Sequence, residues 1–205
     1  METKFDVIDL ADLMAQQGTY EDAWTIGLEI QSFGNYEAFH YVLQNGNEVA
    51  RRAAAFWLAD EAEKVPAEIF LSISHDADED LRFHAAYGLG YVEHPKAVST
   101  LSEMLTSDNA AEVRQTAAHS IYPSARLNNA IDHSIIKNFK KVLSKESSNA
   151  VREEIATSLS YFFGTDVQDE AAKLLEEMTR DKDANVAAQA QISLLVLKNG
   201  DPGLQ

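Results

Sequence analysis

Apolar residues return along this chain at positions 1, 5 and 9 of a short phrase, the spacing of one face of an α-helix. The phrase is plainest in two places: Leu81, Arg82, Ala85, Ala86, Leu89, and again Val113, Arg114, Ala117, Ala118, Ile121. It extends upstream to Ala50, Arg51, Ala54, Ala55, Leu58, and downstream to Val151, Arg152, Ile155, Ala156, Leu159 and to Val186, Ala187, Ala190, Gln191, Leu194. A weaker match starts at Tyr20, with Ala23, Trp24 and Leu28 in the corresponding places. Successive anchors lie 30, 31, 32, 38 and 35 residues apart, so the chain is an internal repeat, and no period-2 strand pattern competes with it.

Ahead of each phrase lies a second amphipathic segment, at 36–43, 67–73, 96–105, 130–143 and 168–178. The pattern predicts a unit of two antiparallel helices joined by turn and capping residues, as in Asn45-Gly46-Asn47, Ser74 to Asp78, Ser107-Asp108-Asn109 and Asp181 to Asn185. One such pair cannot bury its faces alone, whereas stacked pairs share a continuous core. Pro123 is expected to end the fourth phrase helix and to open a loop over 123–129, which would account for the step of 38. The ends should act as caps: an acidic, irregular lead precedes Trp24, Ala187 replaces the arginine in the last phrase, and 198–205 reads as a helix-stopping tail.

Aspartates followed by Val/Leu-Arg-x-x-Ala-Ala-x-x-Leu-Gly, as in Asp76 to Gly90, resemble a HEAT repeat, particularly the short HEAT-like type of phycobilisome lyases. The resemblance covers about residues 20–197 and is densest over 48–160. It implies an all-α fold, a right-handed α-solenoid of about five to six antiparallel helix pairs, in one repeat domain over 1–197 with a C-terminal tail over 198–205. In such repeats the second-position arginine often bonds loop aspartates of the same or the adjacent repeat. By resemblance, Arg51, Arg82, Arg114 and Arg152 would form that ladder, with Asp76, Asp78 and Asp108 as partners.

Composition narrows the chemistry. The chain has 205 residues, 45% of them hydrophobic and none of them cysteine, so a sizeable core is affordable while disulfides, thiolate metal sites and thiol nucleophiles are excluded. The start lacks the basic, apolar character of a signal peptide and no apolar run reaches membrane-spanning length, from which a cytoplasmic protein is expected. Net charge is −16, and residues 1–80 hold 17 acidic against 4 basic side chains. Such a field opposes direct contact with nucleic acid or anionic membranes and speeds encounter with a basic protein.

Catalytic patterns are sparse. Some HEAT proteins hold a di-iron centre through His-Glu dipeptides, yet none of His40, His75, His84, His94, His119 and His133 precedes a glutamate, and all six are expected to be surface or hydrogen-bonded histidines. Gly88-Leu89-Gly90 fits helix termination better than phosphate binding, and there is no Gly-x-Ser-x-Gly. Lys137, Lys140, Lys141 and Lys145 share one stripe of a first helix and read as a solvated outer face. No metal or cofactor is implied.

The second helices of HEAT pairs usually line the concave side. At 100° per residue, positions 3, 7 and 10 or 11 turn away from the packed face. They are Arg52, Phe56 and Asp60; Phe83, Tyr87 and Tyr91; Gln115, His119 and Tyr122; and Glu153, Thr157 and Tyr161. The partner-binding set is therefore Phe56, Asp60, Glu61, Phe83, Tyr87, Tyr91, His119, Tyr122 and Tyr161: aromatic anchors beside acidic side chains. The expectation is a non-enzymatic interaction module for a basic protein, in its sharpest form an immunity or antitoxin protein masking a toxin such as a nuclease. The alternative is a HEAT-like lyase or other enzyme modifying a protein or chromophore. The oligomeric state is left open.

Overall fold

The computed structural model describes residues 7–200. These form twelve α-helices in six consecutive pairs, with two 3₁₀ turns at Ala62–Lys64 and Ser160–Phe162, and no strand among the described residues. The fold is all-α and consistent with an α-solenoid, and it divides into two compact units, Met1–Gly88 and Leu89–Gln205.

The first unit contains α1 (Val7–Ala15), α2 (Tyr20–Ser32), α3 (Tyr36–Asn45), α4 (Glu48–Asp60), α5 (Ala67–Ile73) and α6 (Glu79–Gly88). Helices α2, α3 and α4 begin where a side chain accepts a backbone N–H of the first turn: Thr19 from Asp22, Asn35 from Ala38, Asn47 from Ala50. Each such cap contributes about 1 kcal/mol. The second helices pack side by side, α2 on α4 and α4 on α6. Close approach rests on small residues: Ala50, Ala53, Ala54 and Ala55 of α4 are fully buried, and a Cβ at Gly27 of α2 would lie 2.1 Å from the Trp57 indole nitrogen. Phe39, Leu58, Phe70 and Leu81 fill the core.

Two expectations fail here. The acidic lead is not irregular, because 7–15 form α1, burying Leu10, Ala11, Met14 and Ala15. The register that starts at Tyr20 is also displaced. Tyr20 and Leu28 are exposed, and α2 buries Ala23, Gly27 and Ile30 instead, because only Gly27 admits Trp57 at that crossing.

The second unit contains α7 (Ala97–Ser107), α8 (Ala111–Leu127), α9 (His133–Leu143), α10 (Asn149–Leu159), α11 (Gln168–Met178) and α12 (Ala184–Asn199). The first helices α7, α9 and α11 pack in one row and the second helices α8, α10 and α12 in another. Leu101, Leu105, Ile121, Phe139, Leu159, Phe162 and Leu175 lie between them.

Pro123 does not end its helix; it sits inside α8, which runs on to Leu127. Proline removes the donor that would serve the His119 carbonyl, but further backbone bonds close the helix after it. Ala130 N–H donates to the Ala125 carbonyl at 2.8 Å and Asn129 N–H to that of Arg126 at 3.3 Å, with Asn129 left-handed at φ 52°, a Schellman end. Asn128 then ties the preceding loop to the helix, donating to the Val92 and Ser124 carbonyls at 3.1 and 2.8 Å and accepting from His94 N–H at 2.8 Å. The long step between anchors thus comes from a longer helix. At the C-terminus Lys198 and Asn199 belong to α12, while the rest of the expected tail beyond Gly200 lies outside the described residues.

Candidate functional site: the exposed faces of the second helices

The repeat arginines set the frame on which these faces are carried. Arg51 pairs with Asp76 and donates to the Leu43 carbonyl at 2.9 Å; its neighbour Arg52 bonds Asp78 at 2.8 Å. Asp76 and Asp78 also accept the backbone N–H of Asp78 and Asp80, so each aspartate shapes its own turn while holding a cation. Arg82, buried, donates to the Asp76 and Ala77 carbonyls at 2.9 and 3.0 Å.

In the second unit Arg114 donates to the Asp108 carbonyl at 2.9 Å and grips both carboxylate oxygens of Glu146 at 2.7 and 2.8 Å. Arg152 does the same with the Glu146 carbonyl at 3.2 Å and both oxygens of Asp181 at 2.8 and 3.0 Å. Asp108 also accepts the N–H of Ala110. The acids that Arg114 and Arg152 hold, Glu146 and Asp181, thus lie in the following loop and are not among the expected ladder partners Asp76, Asp78 and Asp108. Hydrogen bonds from these guanidinium groups hold Glu146 and Asp181 below the usual carboxylate range.

On the first unit's second helices, rings run in sequence. Trp24 of α2 meets Phe56 of α4 at a centroid distance of 4.4 Å, Phe56 meets the edge of His84 of α6 at 5.8 Å, and His84 meets Phe83 at 5.2 Å. Tyr87 is exposed one turn further along α6. Burial pushes the His84 imidazole down to about 4, against the pull of Asp80, so the ring is neutral at pH 7. His84 is therefore a half-buried member of a ring stack, not the surface or hydrogen-bonded histidine expected. Trp24, which the displaced register concealed, is the other ring absent from the expected set.

Charge surrounds this run. Arg52 contacts three carboxylates, Glu48 at 2.7 Å, Asp78 at 2.8 Å and Asp80 at 3.0 Å, a cluster with a net charge of −2. Asp60 is exposed and accepts from Gln31 at 3.1 Å. Glu61 is engaged by Lys64 at 2.7 Å and by the Tyr36 hydroxyl at 2.9 Å, and those bonds lower its pKa.

In the second unit some of the corresponding residues are likewise tied across elements. His119 of α8 bonds Glu154 of α10 at 3.1 Å, which raises its pKa. Tyr122 lies 5.6 Å from Tyr161 and 5.0 Å from Phe162. Tyr161 sits in the 3₁₀ turn after α10, and Tyr91 lies beyond the end of α6 at Gly88, so neither is carried on its phrase helix as expected. Helix α6 stops where a Cβ on Gly88 would strike the Phe70 ring at 2.4 Å. Gln115, Glu153 and Thr157 are half-buried.

Of the remaining histidines, His133 meets Glu170 at 3.0 Å, and His40 lies 3.1 Å from Gln44. The Nδ1 of His94 accepts from Lys96 N–H at 3.1 Å, while His75 is exposed. Among the described residues no group of three or more histidine, aspartate or glutamate side chains is placed to hold a metal ion, and no helix is long and apolar enough to cross a membrane. The α9 lysines Lys137, Lys140 and Lys141 are exposed, with Lys140 paired to Glu177 at 2.7 Å; Lys145 lies beyond the end of α9 at Leu143, not on that stripe, and reaches the Thr106 carbonyl at 3.3 Å.

Residues 36–122 match the family model for HEAT repeats. No curated protein matches the chain. Among solved structures, an engineered protein is similar over 96% of this chain and 98% of its own, at 19% identity and a TM-score of 0.63. A designed armadillo repeat protein is similar over 94% of this chain and 100% of its own, at 15% identity and a TM-score of 0.63. Another designed armadillo repeat protein, in complex with the peptide (KR)4, is similar over the same 94% and 100%, at 14% identity and a TM-score of 0.59.

Proposed function

For a chain that is a HEAT-like repeat protein, we propose a non-enzymatic role: binding a basic protein on the ring run and acidic side chains of its first unit. The observation that carries this reading is the pairing of Trp24, Phe56 and the neutral His84 with a carboxylate-rich cluster around Arg52 and the exposed Asp60. Residues 1–88 hold 17 acidic and 5 basic side chains, so the long-range field over this unit attracts cations before contact is made. Aromatic faces and carboxylates then suit arginine and lysine side chains, by cation–π contact and charge-assisted bonds.

The similar designed armadillo protein that holds the (KR)4 peptide is consistent with this chemistry for a helical repeat surface. The sharper form of the proposal is an immunity or antitoxin protein acting in the cytoplasm, masking a basic toxin such as a nuclease. Such a blocker needs charge and shape complementarity and no reacting group. Capture from the native cell at low salt tests it: a basic protein should co-purify in stoichiometric amount and dissociate as salt rises. Recovery of acidic proteins or nucleic acids alone would overturn it.

A further inference from the structure

Helix α12 is apolar on two opposite sides. One side, Val186, Ala190, Ser193 and Leu197, is buried in the second unit. The other carries Ala188, Ile192 and Leu195, all exposed, with Ile192 at 56% and Leu195 at 63%. An outward face of a surface helix is ordinarily polar. Phe163, 50% exposed, lies at the C-terminal end of the same helix, where a Cβ on Gly200 would be 3.3 Å from its ring.

The repeat register identifies what this face is built to meet. Ala188, Ile192 and Leu195 occupy positions 3, 7 and 10 of their phrase, and in α8 those positions are Gln115, His119 and Tyr122. There His119 bonds Glu154 of α10 and Tyr122 packs on Tyr161 and Phe162, so these positions serve as a seat for a neighbouring second helix. On α12 the same seat is exposed and lined with aliphatic side chains in place of polar ones.

Charge selects the occupant. Helix α12 spans sixteen residues with one ionisable side chain, Lys198, which is paired with Glu176 at 2.9 Å. The second unit, residues 89–205, holds 16 acidic against 12 basic side chains, so two copies of a chain of net charge −16 oppose each other least there, and α12 itself brings no carboxylate to such a contact. A basic partner gains nothing from it.

We propose that α12 is a self-association surface, packing against α12 of a second copy about a twofold axis through Ala188, Ile192, Leu195 and Phe163. A twofold contact needs one self-complementary patch, which an uncharged aliphatic helix face provides. A contact of one helix per subunit lies at the small end of protein interfaces, so the dimer forms reversibly in the micromolar range.

Sedimentation velocity of the 205-residue chain, from low to high micromolar concentration and at low and high salt, tests this. The expected result is a monomer–dimer equilibrium that strengthens as salt screens the mutual repulsion. Ile192→Glu combined with Leu195→Glu should lower the association constant about tenfold or more, since carboxylates would face each other in the contact. Helical circular dichroism should be unchanged, because both side chains are exposed. Leu28→Glu, replacing a comparably exposed leucine (55%) on α2, should leave the equilibrium as it is. A chain monomeric at every concentration, or a dimer indifferent to the α12 pair and abolished by Leu28→Glu, overturns the proposal.

Discussion

The first unit leaves its paired arginines the more open: Arg51 and Arg52, 27% and 37% exposed, take neighbouring aspartates, and acids outnumber bases by 12 over residues 1–88, while His84 sits desolvated in a ring stack. The second unit buries its arginine clamps more deeply. Arg114 and Arg152 each hold a carboxylate with two hydrogen bonds, and His119 engages Glu154. Both are built on the same repeat phrase. The phrase therefore dictates packing, while the residues between its fixed positions decide whether a face closes on itself or stays available.

The largest effect should come from the arginine clamps. The Arg152 side chain is 3% exposed and Asp181 14%, so Arg152→Ala leaves a nearly buried carboxylate and two loop carbonyls without their donor. A loss of about 3–5 kcal/mol is expected, read as a fall in the urea midpoint. Arg51→Ala, at a site 27% exposed, should cost about 1–2 kcal/mol. Equal losses would break the distinction between the two clamps.

The histidines give the next contrast, with opposite signs. Burial lowers the folded-state pKa of His84 from 6.5 to about 4, so the unfolded chain binds the proton first, and stability falls as pH drops from 6.5 to 4. The expected loss is about 3 kcal/mol across that window, and His84→Gln should flatten it. His119 is raised by the Glu154 hydrogen bond, so its contribution is complete below pH 6.5 and disappears as pH rises through its folded-state value. His119→Gln should therefore cost its full stability below pH 6.5, with the cost fading as pH rises above that value.

A smaller effect is expected at the α2–α4 crossing. Gly27→Ala places a methyl 2.1 Å from the Trp57 ring and should cost about 1–3 kcal/mol, with the tryptophan fluorescence maximum moving as the indole is displaced. An unchanged spectrum and midpoint would show that Trp24 and Phe56 do not depend on this approach for their positions.

Most of the helix pairs were legible because apolar spacing and caps such as Asn47 and Asp183 are local signals. Residues 67–73 and 168–178 form helices α5 and α11 over those ranges. Pro123 misled because the helix runs on past it and is closed by the Schellman end at Asn129 and by Asn128, whose contacts include the distant Val92 and His94. The facing of α2 was hidden for the same reason: Gly27 is explained only by Trp57, thirty residues on. Within the candidate site, Phe56 and Phe83 follow from helical phase. Trp24 and the neutral His84 required knowing which rings meet across helices, and Glu146 and Asp181 required knowing which loop each arginine reaches.

Calorimetric titration with a (Lys-Arg)4 peptide, the probe held by a similar repeat protein, tests whether the first unit's rings and acids take a basic partner. Saturable binding is expected at low salt, weakening as salt rises and weakening further in Asp60→Asn and Tyr87→Ala while helical circular dichroism stays constant. No heat of binding at low salt, or affinity unchanged in both variants, would contradict it.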